Sequence, residues 1–417
     1  MPSEGNSRRP VVRDRRSSVI ASGLALSAAA VARPARATVL TPTQVRTAYG
    51  VSNLSLYGAG QTIAIIDTYD DPTIRTDLAT FDSTYGVKDS TYGFDPTSSS
   101  SFTVTGVNGA AVPTSTTTGS ETALDVEWAH ALAPAAKIVL VETTGGLAAA
   151  AKYAASIPGV STVSISYGQA EYSGETSTDS NYLPQAGHAG VTFFASSGDS
   201  SNVSYVAASP YVVAVGATNL TLGTNNSYGS ETAWGDTAGG VSKYEAVPTY
   251  QTTVAAQLAA AAGTAVTGRM TPDVSIVGGS GSSLHTVIDG GYYDSWGTSA
   301  SAPIWAGIMA LADEGRADNG LAPLSTQQAL TMLYALVDTP YYALAFNDVT
   351  TGTNANGTSA GTGYDELTGL GTPKADWLVP YLAGDIATPE PTALALTALG
   401  TTFVLVPRRR RRVANAS

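Results

Sequence analysis

The sequence predicts an α/β domain built on a mostly parallel sheet with helices on both faces. Short apolar runs alternate with helical patterns along most of the chain. The runs are apolar throughout rather than at every second residue, as strands buried on both faces are. With 417 residues, 43% of them hydrophobic, the chain is also too apolar to remain disordered. It contains no cysteine, so disulfides, thiolate metal sites and a cysteine nucleophile are all excluded.

Residues 61–67 (QTIAIID) follow a Gly-Ala-Gly turn and read as the first buried strand. Residues 120–133 are helical in pattern, with Ser120 as N-cap and Pro134 closing the helix. Residues 137–142 form a second strand and 146–156 an alanine-rich helix. Further strands are expected over 162–167, 191–195 and 211–217. Residues 218–271 read as loop-rich, with one helix near 254–262. A long helix over 299–316 opens on a Gly-Thr-Ser turn.

The charge is unevenly spread. Seven of the 21 basic residues precede residue 38, and five form the run Arg408 to Arg412. The span 38–387 therefore holds nine basic residues against thirty acidic ones. So acidic a body is a poor partner for nucleic acid. The N-terminus combines a basic start, an apolar run over 19–32 and Ala35-Arg36-Ala37, the pattern of a cleavable export signal over 1–37. Pro389-Glu390-Pro391 precedes fifteen mainly apolar residues and the arginine run. That is short for a span of about 20 residues, and the arginines favour a cytoplasmic C-terminus. Residues 388–417 resemble the PEP-CTERM sorting signal of bacterial envelope proteins. The resemblance implies export and sorting machinery as partners, and a location at the cell envelope, the cell surface or outside.

Trp296-Gly297-Thr298-Ser299-Ala300-Ser301-Ala302-Pro303 is the sharpest motif. A serine on a tight turn that opens a helix exposes its hydroxyl, and its own N–H lies at the positive helix end. Such an arrangement suits a nucleophile whose attack creates an oxyanion. The matching base is not obvious among the histidines, since His130, His188 and His285 all lack a His-Gly-Thr context. Glu121 and Asp125 lie four residues apart and so share one helix face, where they can share a proton. Glu121 would then accept the Ser299 proton while Asp125 orients it.

The serine motif occurs in both subtilisins and sedolisins, and the carboxylate pair points to the second group. Over nearly the whole body the chain resembles sedolisins, serine-carboxyl peptidases with the subtilisin-like fold. The resemblance implies a Glu121–Asp125–Ser299 triad. It implies Asp199, in Ser196-Ser197-Gly198-Asp199, as the oxyanion stabiliser. It implies Ser166, Tyr167 and Gly168 as the edge that pairs with an extended peptide or unfolded-protein substrate. Tyr167 stands where better-known members often carry tryptophan, with Asp67 as its acidic partner. A Ca2+ site is implied at Asp348 and Asp365 by side chain, and at Val349, Gly361 and Gly363 by carbonyl. Residues 40–50 already resemble the start of a catalytic domain, so the peptidase domain is expected over 38–387 without the family's usual long prosegment. Two other readings stay open on the residues alone: an idle envelope protein on a peptidase scaffold, and an Asp-His-Ser subtilisin.

Overall fold

The computed structural model describes residues 38–386, apart from 88, 115–118 and 189. The expected export signal and the PEP-CTERM-like segment lie outside the described residues. Among the described residues the core is an eight-stranded sheet. Its strands are β1 (Thr62–Thr68), β2 (Phe102–Gly106), β3 (Lys137–Thr143), β4 (Val160–Ile165), β5 (Thr192–Ser196), β6 (Val213–Leu222), β7 (Tyr228–Ala233) and β8 (Val274–Val277). They lie in the order β8-β6-β5-β4-β1-β3-β2, with all these neighbours parallel and β7 antiparallel on β6.

Both faces of the sheet are covered, which is why the strands carry apolar residues at every position. Ile63, Ile65, Ile138, Leu140, Phe194, Val213 and Val215 face one core. Ala64, Ile66, Val139, Val141, Val163 and Phe193 face the other. The helices are α1 (Pro42–Ala48), α2 (Ile74–Tyr85), α3 (Gly119–Leu132), α4 (Leu147–Ala154) and α5 (Thr298–Asp318). α1 is fixed by a capping box between Thr41 and Gln44. α3 and α5 belong to the first core, while α4 covers the second face. α3 and α5 approach closely because residue 307 is glycine. A Cβ there would lie 2.6 Å from Leu132 Cβ and 3.1 Å from the Ala129 carbonyl oxygen.

The expected strands and helices are present, with three differences. The segment 218–271 is more ordered than its composition suggests: β6 runs on to Leu222 and β7 folds back on it. β2, α2 and β8 were not read from the sequence, since each is short or weakly patterned. Finally, Ser166, Tyr167 and Gly168 lie beyond the end of β4 rather than on a strand. They form an extended link to a two-residue strand, Gln169–Ala170, which pairs with Ser204–Tyr205. The link packs tightly: a Cβ at Gly168 would lie 2.5 Å from Ser204 Oγ. A hairpin of β9 (Leu284–Ile288) and β10 (Gly291–Ser295) leads into α5.

Candidate active site

β1 and β4 are neighbours whose onward connections leave in opposite directions, one toward β2 and one toward β5. Such a reversal opens a crevice at the carboxyl ends of the strands. Asp67 closes the apolar run of β1 here, and Ser166 follows β4. The N-terminal ends of α3 and α5 meet at the same point, where the Ser299 side chain lies near enough to Glu121 to act on its carboxyl.

α3 carries three acidic residues. Glu127 is turned toward the hairpin and accepts the Val287 N–H at 3.0 Å. Glu121 and Asp125 face the crevice, where Asp67 joins them. Asp67 and Asp125 are fully buried, and neither has a partner at normal hydrogen-bond geometry for either oxygen. Charge in such a place is expensive, so the protonated forms are favoured. Burial pushes Glu121 up to about 7; the Ser299 hydroxyl pulls it down, and the Asp199 charge pushes it up. Asp125 is held well above its ordinary range by burial, then by the charges of Asp67 and Glu121. Asp67 is raised by burial and by the Glu121 charge, with the nearby Tyr167 hydroxyl opposing. Tyr167 also shares a 2.8 Å hydrogen bond with Thr68. The three carboxyls therefore act on one another and titrate as a group.

Ser299 sits in the first turn of α5, behind Gly297 at φ 134° and ψ 165°. That backbone region strongly favours glycine, and here side-chain space is also lacking. A Cβ at residue 297 would lie 2.8 Å from Asp199 Oδ2. Asp199 Oδ1 accepts from the Thr298 N–H at 2.9 Å and the Thr298 hydroxyl at 2.7 Å. The same hydroxyl receives the Gly198 N–H at 3.0 Å. With Oδ1 committed to two donors, Oδ2 is the oxygen left for other partners. Ser166, Tyr167, Gly168, Asp199 and Ser299 line one open cleft of about 730 Å³.

No histidine lines this cleft among the described residues. His130 lies buried beside Asp82, at 3.5 Å, and against the Phe94 ring. His285 stacks on Tyr85 and faces Asp294 at 3.8 Å.

The residues expected at a Ca2+ site also come together. Asp348 accepts the Gly363 N–H at 3.0 Å, and Asp365 accepts the Gly361 N–H at 3.1 Å. The Thr368 hydroxyl joins Asp365, at 2.8 Å, to the Val349 carbonyl, at 3.4 Å. Two carboxylates thus flank one glycine-bent loop, and no ion pair to either is present among the described residues. Asp365 also accepts the Leu367 and Thr368 N–H groups, each at 2.8 Å, so its oxygens serve loop donors that a cation would have to replace. No cluster of three or more acidic, histidine or cysteine side chains suited to a metal occurs among the described residues, so backbone carbonyls would complete the shell.

The subtilase family, a family of serine-type peptidases, matches residues 58–364. The chain belongs to this family. Kumamolisin of a Bacillus species is 33% identical over 373 residues, covering 81% of this chain and 62% of the relative. Sedolisin of a Pseudomonas species is 30% identical over 189 residues, covering 42% of this chain and 29% of the relative. The chain thus spans less than two thirds of the curated relatives it matches. Among solved structures, Pseudomonas sedolisin, a serine-carboxyl proteinase complexed with pseudo-iodotyrostatin, superposes with a TM-score of 0.69 at 24% identity. That match covers 84% of this chain and 99% of the other, and it shows the subtilisin-like fold. A lanthipeptide protease matches with a TM-score of 0.51 at 17% identity, over 82% of this chain and 93% of its own.

The sequence reading missed Thr298 as the support of Asp199, and Glu142 and Asp71 as outer members of the acidic group. Burial pushes Glu142 up to about 7, and its charge acts on Asp67. The available signal was a carboxylate ending an apolar strand: Asp67 and Glu142 are register partners at the ends of β1 and β3.

Proposed function

We propose that the chain is an exported, acid-acting serine-carboxyl peptidase using Glu121, Asp125 and Ser299 as its triad. The observation that carries this reading is the approach of Ser299 to Glu121, beside a buried Asp125, next to a cleft that no histidine among the described residues lines. Ser299 Oγ attacks the scissile carbonyl carbon, and its proton passes to Glu121. The resulting oxyanion takes hydrogen bonds from the Ser299 N–H and from a protonated Asp199 through Oδ2. Collapse releases the amine, which leaves with the proton held by Glu121, and water then hydrolyses the acyl-enzyme. The substrate is a peptide or unfolded protein laid along Ser166, Tyr167 and Gly168.

Two proton demands set the working pH. Glu121 must be ionised, and its raised value makes the ionised fraction small in acid, growing about tenfold per pH unit up to about 7. Asp199 donates through Oδ2 only in its protonated form. The proposed optimum lies below neutrality. Ca2+ held by Asp348, Asp365 and the carbonyls of Val349, Gly361 and Gly363 would stabilise the loops rather than take part in chemistry. Export by residues 1–37 and sorting by 388–417 complete the proposal.

Ser299→Ala tests it. Hydrolysis of a denatured protein, followed from pH 2.5 to 9, should peak in acid and fall about a million-fold in the variant. Turnover that survives the substitution, or a wild-type optimum above neutrality, would assign the chemistry elsewhere.

A further inference from the structure

Pro303 has a consequence for the nucleophile. In a regular helix the N–H of residue 303 would donate to the carbonyl of residue 299, and proline has no N–H to give. Pro303 lies inside α5, so the Ser299 carbonyl lacks its regular helical donor. The Ser166 hydroxyl donates to that carbonyl at 3.3 Å. Ser166 is buried, at 8% exposure, although its neighbours Tyr167 and Gly168 line the cleft with it. Its side chain is also near enough to Asp125 to act on that carboxyl. The hydroxyl therefore sits between Asp125 and the backbone of the nucleophile, and donates to the latter.

We propose that Ser166 is a positioning residue: its hydroxyl replaces the helical donor that Pro303 withdraws, and so fixes the turn from which Ser299 projects. This rests on Ser299 being the nucleophile. It adds a role to Ser166 beyond pairing with substrate, because the backbone would serve the peptide while the side chain serves the enzyme. A proline four residues after the nucleophile and a serine just past the end of β4 then act as one device. The proline frees a carbonyl in the first turn of the helix, and the serine ties it to the segment that follows β4.

A double-mutant cycle tests this, because Pro303→Ala restores an N–H to the Ser299 carbonyl. Ser166→Ala alone should lower kcat about five- to ten-fold, the effect of one lost hydrogen bond, with KM unchanged. In the Pro303→Ala background the same substitution should cost less than about two-fold. Thermal unfolding of each variant separates lost fold from lost positioning. An equal loss in both backgrounds, or a loss confined to KM, would overturn the proposal. A peptide aldehyde, which forms a reversible hemiacetal with a serine nucleophile, supplies a readout besides turnover. Its inhibition constant should follow the same cycle. Failure of the wild type to form any hemiacetal would overturn the nucleophile assignment itself, a result distinct from a hemiacetal that ignores Ser166.

Discussion

Replacing Glu121 by glutamine should stabilise the protein at neutral pH and leave it unchanged in acid. Burial, reinforced by the Asp199 charge, raises Glu121 from 4.5 to about 7. The folded state therefore holds a proton that the unfolded chain gives up between pH 4.5 and about 7. Below 4.5 both states are protonated, and the contribution of the neutral carboxyl is fully present. As pH rises through the window that contribution is lost, and above about 7 the fold carries a buried charge. The rise from 4.5 to about 7 corresponds to about 3 kcal/mol. Glutamine keeps the size and polarity without the ionisation, so Glu121→Gln escapes the loss. For a domain of about 350 residues, 3 kcal/mol is about 4 °C in melting temperature. Melting temperatures of both proteins, taken from pH 3.5 to 8.5 at constant ionic strength, should coincide at the acid end. They should then diverge in favour of the variant, which is at the same time inactive as a peptidase. A pH-independent difference, or a variant less stable at pH 8, would refute the account of Glu121 as a base held at a cost in stability.

Thorough chelation should lower the melting temperature if Ca2+ binds the Asp348 and Asp365 loops. Restoring it to a hundred times Kd returns about 2.7 kcal/mol, and an unchanged melt would argue against the site. Asp199→Ala should reduce kcat about 10²–10³-fold with little change in KM, as expected for one lost oxyanion donor, and Asp199→Asn should fall between it and wild type. Gly307→Ala should cost about 1–3 kcal/mol in urea unfolding, because the added methyl meets Leu132 and the Ala129 carbonyl across the α3–α5 contact. A neutral result there would mean that the two helices can separate without loss.

What the sequence determined by itself is what is local or periodic. Continuous apolar runs specify strands buried on both faces, so the parallel sheet was legible before any contact was known. The turn at Gly297, the helix opening at Ser299 and the i, i+4 pair Glu121 and Asp125 are set by neighbouring residues in one chain segment. Charge likewise needs no fold, and it alone argued against nucleic acid.

Tertiary structure decided everything that depends on which distant segments meet. Glu121, Asp125 and Glu127 look alike along α3, and only packing turns the first two toward Asp67 and the third toward Val287. Asp67 at the end of an apolar strand becomes part of a proton-sharing group only because β1 and β4 are neighbours and their connections diverge. Ser166 was placed on a strand edge, yet its hydroxyl serves a carbonyl 133 residues away. The physical reason is the same throughout. Hydrophobic period and backbone preference act over a few residues. Burial, which sets the cost of a charge and the need for a partner, depends on the whole assembled core.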